Sequence, residues 1–242
     1  MDANIIVIVP IYKPVLDGDE KFSLDYSLAK LAGRKVVFVG PASLDSGFYL
    51  QTYKELEFVA FDDLYFSSIA GYNRLLLSDT FYRHFAEYAF MLVLQTDAIV
   101  LRDELDYWCA QPFDYVGAPW PDGVEVLINV GRFAGDKGKR VKAMVGNGGF
   151  SLRRIQKCMG LLAEFPDAVE VFTRTGSSED LFFSLIGTLS NDFLIPNEIT
   201  ASRFAMELRP SYYHAVNGGN LPMGGHAWSK YEPEFWRAHL SQ

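Results

Sequence analysis

With 242 residues, 49% of them hydrophobic and 21% charged, the chain carries enough apolar material for one large α/β domain and is far from a disordered composition. A formal net charge of −8 excludes a general nucleic-acid binder, which needs a basic face against phosphates. Small anionic ligands stay open, because backbone amides, helix N-termini and a bound metal can hold them in an acidic protein.

Residues 4–14, NIIVIVPIYKP, are a continuous β-branched run closed by prolines, which predicts a strand buried on both faces and hence a parallel sheet. Phe22, Leu24, Leu28 and Leu31 keep helical spacing over Glu20–Leu31, and Gly33 ends that helix. KVVFVGP is a second buried strand, completing an expected right-handed βαβ unit. A helix near 47–56 and a strand at EFVAF follow. One helix over about 67–86 carries Tyr72, Leu75, Leu76, Phe81 and Phe85, and a strand then runs through FMLVLQTDAIV, 90–100. DYVGAP leads into a Gly- and charge-rich loop over 121–142, a strand at GGFSLR and a helix through Met159 to Phe165. A last helix opens at SSEDLFFSLI, where Ser177 or Ser178 can cap and Glu179 and Asp180 suit the positive end of the dipole. Strands alternating with helices predict an α/β fold, with ligand chemistry at the carboxyl ends of a mostly parallel sheet.

No Pro/Gly/Ser-rich linker divides the chain, so one domain over 1–242 is expected. Without a charged-then-apolar leader or an apolar run of about 18 residues, neither secretion nor a membrane span is supported, and the default is cytoplasmic. Cys109 and Cys158 form no CxxC pair and read as reduced, packed cysteines. There is no Walker loop and no GxGxxG; GNGG at 146–149 lacks the Lys-Ser/Thr a P-loop needs.

Asp97 interrupts an apolar run, and an unpaired buried carboxylate costs several kcal/mol or neutralises itself, so it must meet a polar cavity, a cation or a partner. Taken singly, QTD (95–97), VGNGGFSLRR (145–154), SSED (177–180) and GGHAW (224–228) each have bland explanations. In that order they resemble the motif set of GT-A glycosyltransferases, and YNRLLLSDTFY, VLQTDAIV, DYVGAPW and EDLFF resemble a largely uncharacterised bacterial group of GT-A-like sugar transferases. The resemblance spans roughly residues 5–228.

The resemblance implies a GT-A-like, Rossmann-like domain whose first half, about 1–100, binds a nucleotide sugar and whose second half, about 101–242, binds the acceptor and carries catalysis. Asp97 and His226 would hold a divalent cation, Mn²⁺ or Mg²⁺, against the donor diphosphate. Gln95 stands where the family's DxD has its first Asp, so weak metal affinity is expected and metal-independent catalysis stays open. Asp180 matches the base of an inverting transferase, and Glu179 falls on the acceptor side. Asn147, Gly148 and Gly149 match the segment approaching the donor sugar. Pro10, Ile11 and Tyr12 match the cup for the base, and Arg74 is a donor contact with a structural ion pair as the alternative. Trp120, at the mouth of the 121–142 loop, is expected to stack on an acceptor sugar, with the loop as an acceptor-side lid. Arg153 and Arg154 read as the solvated end of a strand.

The function implied is transfer of a sugar from a nucleotide-sugar donor to a glycan or glycolipid, in bacterial surface polysaccharide synthesis and with peripheral association at the inner face of the membrane. Two alternatives remain. A nucleotidyltransferase making nucleotide sugars wants a Gly-rich, Arg/Lys-bearing signature that VPIYKPVLDGDE lacks. A non-catalytic carbohydrate-binding module has Gln95 as its best argument.

Overall fold

The computed structural model describes residues 4–129, 135 and 138–240. Strand β1 (Ile5–Pro10) is buried at every position, as a β-branched run without alternation requires. Helix α1 (Gly18–Lys30) starts at a capping box: the Asp17 carboxylate accepts the Glu20 N–H at 2.9 Å and the Glu20 carboxylate accepts that of Asp17 at 3.1 Å. β2 (Lys35–Pro41), α2 (Gly47–Thr52) and β3 (Glu57–Phe61) follow.

Two helices, α3 (Ile69–Leu76) and α4 (Asp79–His84), replace the single one expected over 67–86. Ser78 takes extended backbone and its hydroxyl accepts the Phe81 N–H, so a local cap interrupts apolar spacing that reads as continuous. The run 90–100 also divides. β4 (Phe90–Leu94) stops at the polar triplet, the Ala98 N–H closes a turn on the Gln95 carbonyl at 2.9 Å, and β5 (Ile99–Val100) belongs to another sheet.

Beyond α5 (Leu105–Cys109) and β6 (Tyr115–Val116), the expected loop over 121–142 is an antiparallel hairpin of β7 (Pro119–Ile128) and β8 (Lys139–Val145). Val141, Ala143 and Val145 are its buried face, while Arg140, Lys142 and Glu125 give the other face its loop-like charge. Positions 130–134, 136 and 137 of that expected loop lie outside the described residues. The chain continues through β9 (Phe150–Arg154), α6 (Ile155–Glu164), α7 (Pro166–Thr175), α8 (Glu179–Gly187), α9 (Glu198–Phe204), β10 (Ala205–Met206), α10 (Pro210–Val216), β11 (Gly224–Gly225) and α11 (Pro233–Leu240).

The main sheet has the order β3-β2-β1-β4-β9-β6; β3, β2, β1 and β4 are mutually parallel and β9 runs against both its neighbours. Residues of β1 alternate between two cores. Ile6 and Ile8 pack with Leu76 of α3, Phe81 of α4, Leu161 of α6 and Phe182 of α8, whereas Val7 and Val9 pack with Leu24 of α1 and Trp108 of α5. The fold is thus α/β with a mostly parallel central sheet flanked by helices, as expected. Cys109 and Cys158 are free and buried. Among the described residues no helix is long and apolar enough to cross a membrane.

Candidate active site

Strand register brings the separated motifs together. β4 pairs with β9 so that Leu94 faces Phe150, and the next Gln95 N–H donates to the Gly149 carbonyl at 2.8 Å. β11 pairs with β5 so that Gly225 faces Ile99, which sets His226 beside the turn holding Asp97. β10 runs parallel to β11 with Met206 opposite Gly225, and Glu207 therefore arrives at the same imidazole.

His226 joins these pieces. Its Nδ1–H donates to Glu207 Oε2 at 2.9 Å, while Nε2 lies 3.2 Å from Asp97 Oδ1 and 3.1 Å from Gln95 Oε1. Burial works against the imidazolium, but the bonds to Asp97 and Glu207 more than reverse that and hold its pKa up at about 10. Burial likewise pushes Asp97 upward, and His226 outweighs it, keeping the carboxyl below its ordinary range. The charge that interrupts the apolar run is therefore a paired one.

The adjacent glycines of GNGG, Gly148 and Gly149, are required by what presses on them. A Cβ at Gly149 would lie 2.1 Å from His226 Nε2, and one at Gly148 would lie 2.0 Å from Glu179 Oε1. Asn147 just before them is held at φ 56° and Ala227 just after His226 at φ 47°, left-handed conformations that non-glycine residues seldom adopt.

Helix α8 delivers the acidic pair. Ser178 takes the N-cap position without a side-chain cap bond, contrary to the expected serine cap. Asn73 Oδ1 accepts the Glu179 N–H at 3.3 Å instead, and Asp180 Oδ1 accepts the Leu181 N–H at 2.7 Å. Asp180 Oδ2 also accepts the Gly148 N–H at 3.2 Å, tying the helix start to the glycine pair.

Arg153 is the largest departure from expectation at the site. Read as a solvated strand end, it is 0% exposed, because β9 lies inside the sheet and its alternation turns this side chain inward. It donates to Glu179 Oε1 at 2.9 Å, Ser151 Oγ at 3.0 Å and Tyr82 Oη at 3.0 Å, and its guanidinium lies over the rings of Tyr115 and Phe183. Arg154 is half-buried, bound to Asp114 at 3.0 Å. Burial drives the Glu179 carboxyl up to about 7; Arg153 opposes the shift and the neighbouring Asp180 adds to it.

A cavity of about 660 Å³ collects these groups. Pro10, Tyr12, Gln95, Asp97 and Asn147 line it, as do Gly148, Gly149, Glu179, Asp180 and His226. Three other predicted residues are elsewhere. Ile11 is buried beneath the end of β1, Arg74 is exposed on α3, and Trp120 packs over Gly146 with its Nε1–H donating to Asn147 Oδ1 at 3.2 Å. The wall also contains residues the sequence did not single out. Thr96 Oγ1 donates to Glu20 Oε1 at 3.2 Å, and Phe66 to Ile69 lead into α3. The capping-box spacing of Asp17 and Glu20 was a usable signal for the first; nothing in the sequence marks Glu207.

Among the described residues no Lys or Arg lines the cavity, and no cluster of three or more His, Cys, Asp or Glu is arranged to hold a metal. Asp97 Oδ1, Gln95 Oε1 and His226 Nε2 nevertheless gather hard oxygens and an imidazole within 3.2 Å of that nitrogen, and Glu207 orients the ring from behind. That donor set fits a divalent cation completed by ligand oxygens, provided the Nε2 proton is displaced.

A family model described as a protein of unknown function, DUF5672, matches residues 55–226. No curated protein matches the chain in sequence. In fold the chain is similar to the galactosyltransferase LgtC in complex with donor and acceptor sugar analogs, at TM-score 0.55 and 12% identity over 98% of this chain and 95% of that one. It is similar to the apo form of mouse xyloside xylosyltransferase 1, at TM-score 0.53 and 12% identity over 93% of this chain and 97% of that one. It is also similar to the apo glycosyltransferase GlyE of Streptococcus pneumoniae TIGR4, at TM-score 0.52 and 14% identity, where 98% of this chain covers 60% of that one. The fold is that of GT-A glycosyltransferases.

Proposed function

The chain belongs to the DUF5672 family, described only as of unknown function, and on its GT-A scaffold we propose that it is a glycosyltransferase. The sugar comes from a nucleotide-sugar donor and goes to a glycan or glycolipid acceptor. The observation that carries this reading is the meeting of Gln95, Asp97, His226, Gly148, Gly149, Glu179 and Asp180 on one cavity at the carboxyl ends of β1 and β4.

Charge supports a cation-assisted reaction. A donor diphosphate entering this cavity meets Glu20, Asp97, Glu179 and Asp180 and no lysine or arginine among the described residues. Mn²⁺ or Mg²⁺ would be held by Asp97, Gln95 and a neutral His226 Nε2, with Nδ1 oriented by Glu207, and would neutralise the charge on the departing diphosphate. Glycine at 148 and 149 lets the backbone approach the sugar, and Asn147 supplies an amide for its hydroxyls.

Asp180 is the group suited to deprotonate the acceptor hydroxyl, because its carboxylate is fixed by the backbone N–H groups of Gly148 and Leu181. A base at that point makes the transfer inverting. Tyr12 and Pro10 offer a stacking face for the nucleobase at the end of β1. A nucleotidyltransferase wants a Gly-rich, Arg/Lys-bearing signature after the first strand, and VPIYKPVLDGDE lacks it, which disfavours that alternative.

The test is incubation with a panel of nucleotide sugars and Mn²⁺, with a chelator control. Release of nucleoside diphosphate that the chelator stops is the expected result; pyrophosphate exchange, or binding without turnover, overturns it. Asp97→Asn should abolish cation-dependent donor binding and leave the fold intact by circular dichroism. With an acceptor in hand, NMR of the product anomer should show inversion, and retention removes Asp180 as the base.

A further inference from the structure

Each carboxylate on the cavity wall can be followed to its partner. Glu20 is matched by Lys13 at 2.8 Å, Asp97 by His226 at 3.2 Å and Glu179 by Arg153 at 2.9 Å. Asp180 is different: its oxygens accept the N–H groups of Gly148 and Leu181, and among the described residues no cation pairs with it. Backbone N–H groups and the N-terminal end of α8 meet its charge at the glycine pair, and no side-chain cation does among the described residues.

The cations of the wall and just behind it are already engaged, and exposed Lys230, whose charge acts on Asp97 and Glu207, is bound to Tyr231 on the His226 side and does not line the cavity. Arg153 is wholly buried, with its donors directed at Glu179, Ser151, Tyr82 and the Gly148 carbonyl. Lys13 sits against Glu20, and His226 is enclosed by Glu207, Asp97 and Gln95. Acceptors, by contrast, are in surplus. Glu179 is 3% exposed, and its buried Oε2 has no hydrogen-bond partner among the described residues; each oxygen of Asp180 accepts one backbone N–H and has a lone pair to spare.

Resting on the transferase reading, we propose that the glycosyl group this enzyme transfers carries no anionic substituent, and that Asp180 is the specificity-determining residue that excludes one. A neutral sugar offers hydroxyl donors to a wall rich in acceptors. A uronic acid or another glycosyl carboxylate beside Gly148 meets like charge in a partly desolvated site and finds no unengaged cation on the described wall. Hydroxyl-bearing hexoses, with or without an N-acyl group, are the donor class that fits.

The experiment is calorimetry in Mn²⁺ with the uridine, guanosine, adenosine and thymidine diphosphates, then with the diphosphate that binds as its neutral hexose ester and as its hexuronic acid ester. The wild type should hold the hexose ester at least tenfold tighter than the hexuronate. Asp180→Asn should bring that ratio below threefold by strengthening the hexuronate, with the free diphosphate bound as before. Glu179→Gln serves as the second variant and should narrow the ratio less, because Arg153 already offsets its charge. Equal binding of the two esters to the wild type, or a ratio unmoved by Asp180→Asn, overturns the inference while the transferase reading stands. Binding of none of the diphosphates overturns the reading and the inference together.

Discussion

The cavity wall contributed by β1 and the start of α3 and the wall contributed by β4, β9 and α8 are built on opposite principles. On the first, Tyr12 and Ile69 stand 59% and 83% exposed and present apolar surface. On the second, Arg153 and Glu179 are 0% and 3% exposed and are held by a network running from Tyr82 on α4 through Ser151 to the glycine pair. A wall of exposed apolar side chains binds by contact area and tolerates change. A buried charged network is preorganised, and losing one member leaves the others unsatisfied.

The largest effect expected from breaking this contrast is at Arg153. Arg153→Met leaves Glu179 buried without its cation and should cost about 3–5 kcal/mol in chemical denaturation. The double variant with Glu179→Leu should recover most of that loss, and a failure to recover would mean that Arg153 acts through Tyr82 and Ser151 rather than through charge.

Gly149→Ala comes next. The added methyl must displace the His226 ring, at about 1–3 kcal/mol of overpacking, with loss of cation-dependent nucleotide binding. A variant that binds nucleotide normally would show that the imidazole can move without penalty.

A smaller, pH-dependent effect sharpens the comparison. Glu179 has its folded pKa raised from 4.5 to about 7, so the folded state binds more protons across that window. Its contribution to stability is fully present below about 4.5 and is lost as the pH rises towards 7. The melting temperature should therefore carry a falling component over that range, and Glu179→Gln should remove it.

Tyr12→Ala should have the smallest effect. Stability should stay within about 0.5 kcal/mol of wild type, as for an exposed side chain. Nucleotide affinity should fall by about 1 kcal/mol, roughly fivefold, if the ring stacks on the base. An unchanged affinity measured by calorimetry would remove Tyr12 from the site.

How much of this was legible in the sequence depends on the range over which each signal acts. The β-branched runs at 5–10 and 35–41 announce strands because burial on both faces is written in consecutive residues. The break at Ser78 and the hairpin over 119–145 were obscured because a single serine cap, or one charged face of a hairpin, weighs little against the apolar spacing around it. QTD, GNGG, ED and GGH were recognisable as chemistry, each being a short segment of unusual composition, and the resemblance implied that they share one pocket. The atoms that pair there were not legible.

Residue identities alone determined that this chain makes an α/β fold and that Asp97 needs a partner, since both follow from the cost of leaving apolar surface or charge unmatched. Which partner it has, that Arg153 points inward, and that Glu207 stands behind His226 were decided by the pairing of β4 with β9 and of β11 with β5 and β10. A one-residue slip in any of those registers turns the same side chains to the other face. Contacts between residues on separate strands and helices depend on tertiary pairing and carry no local mark in the polymer.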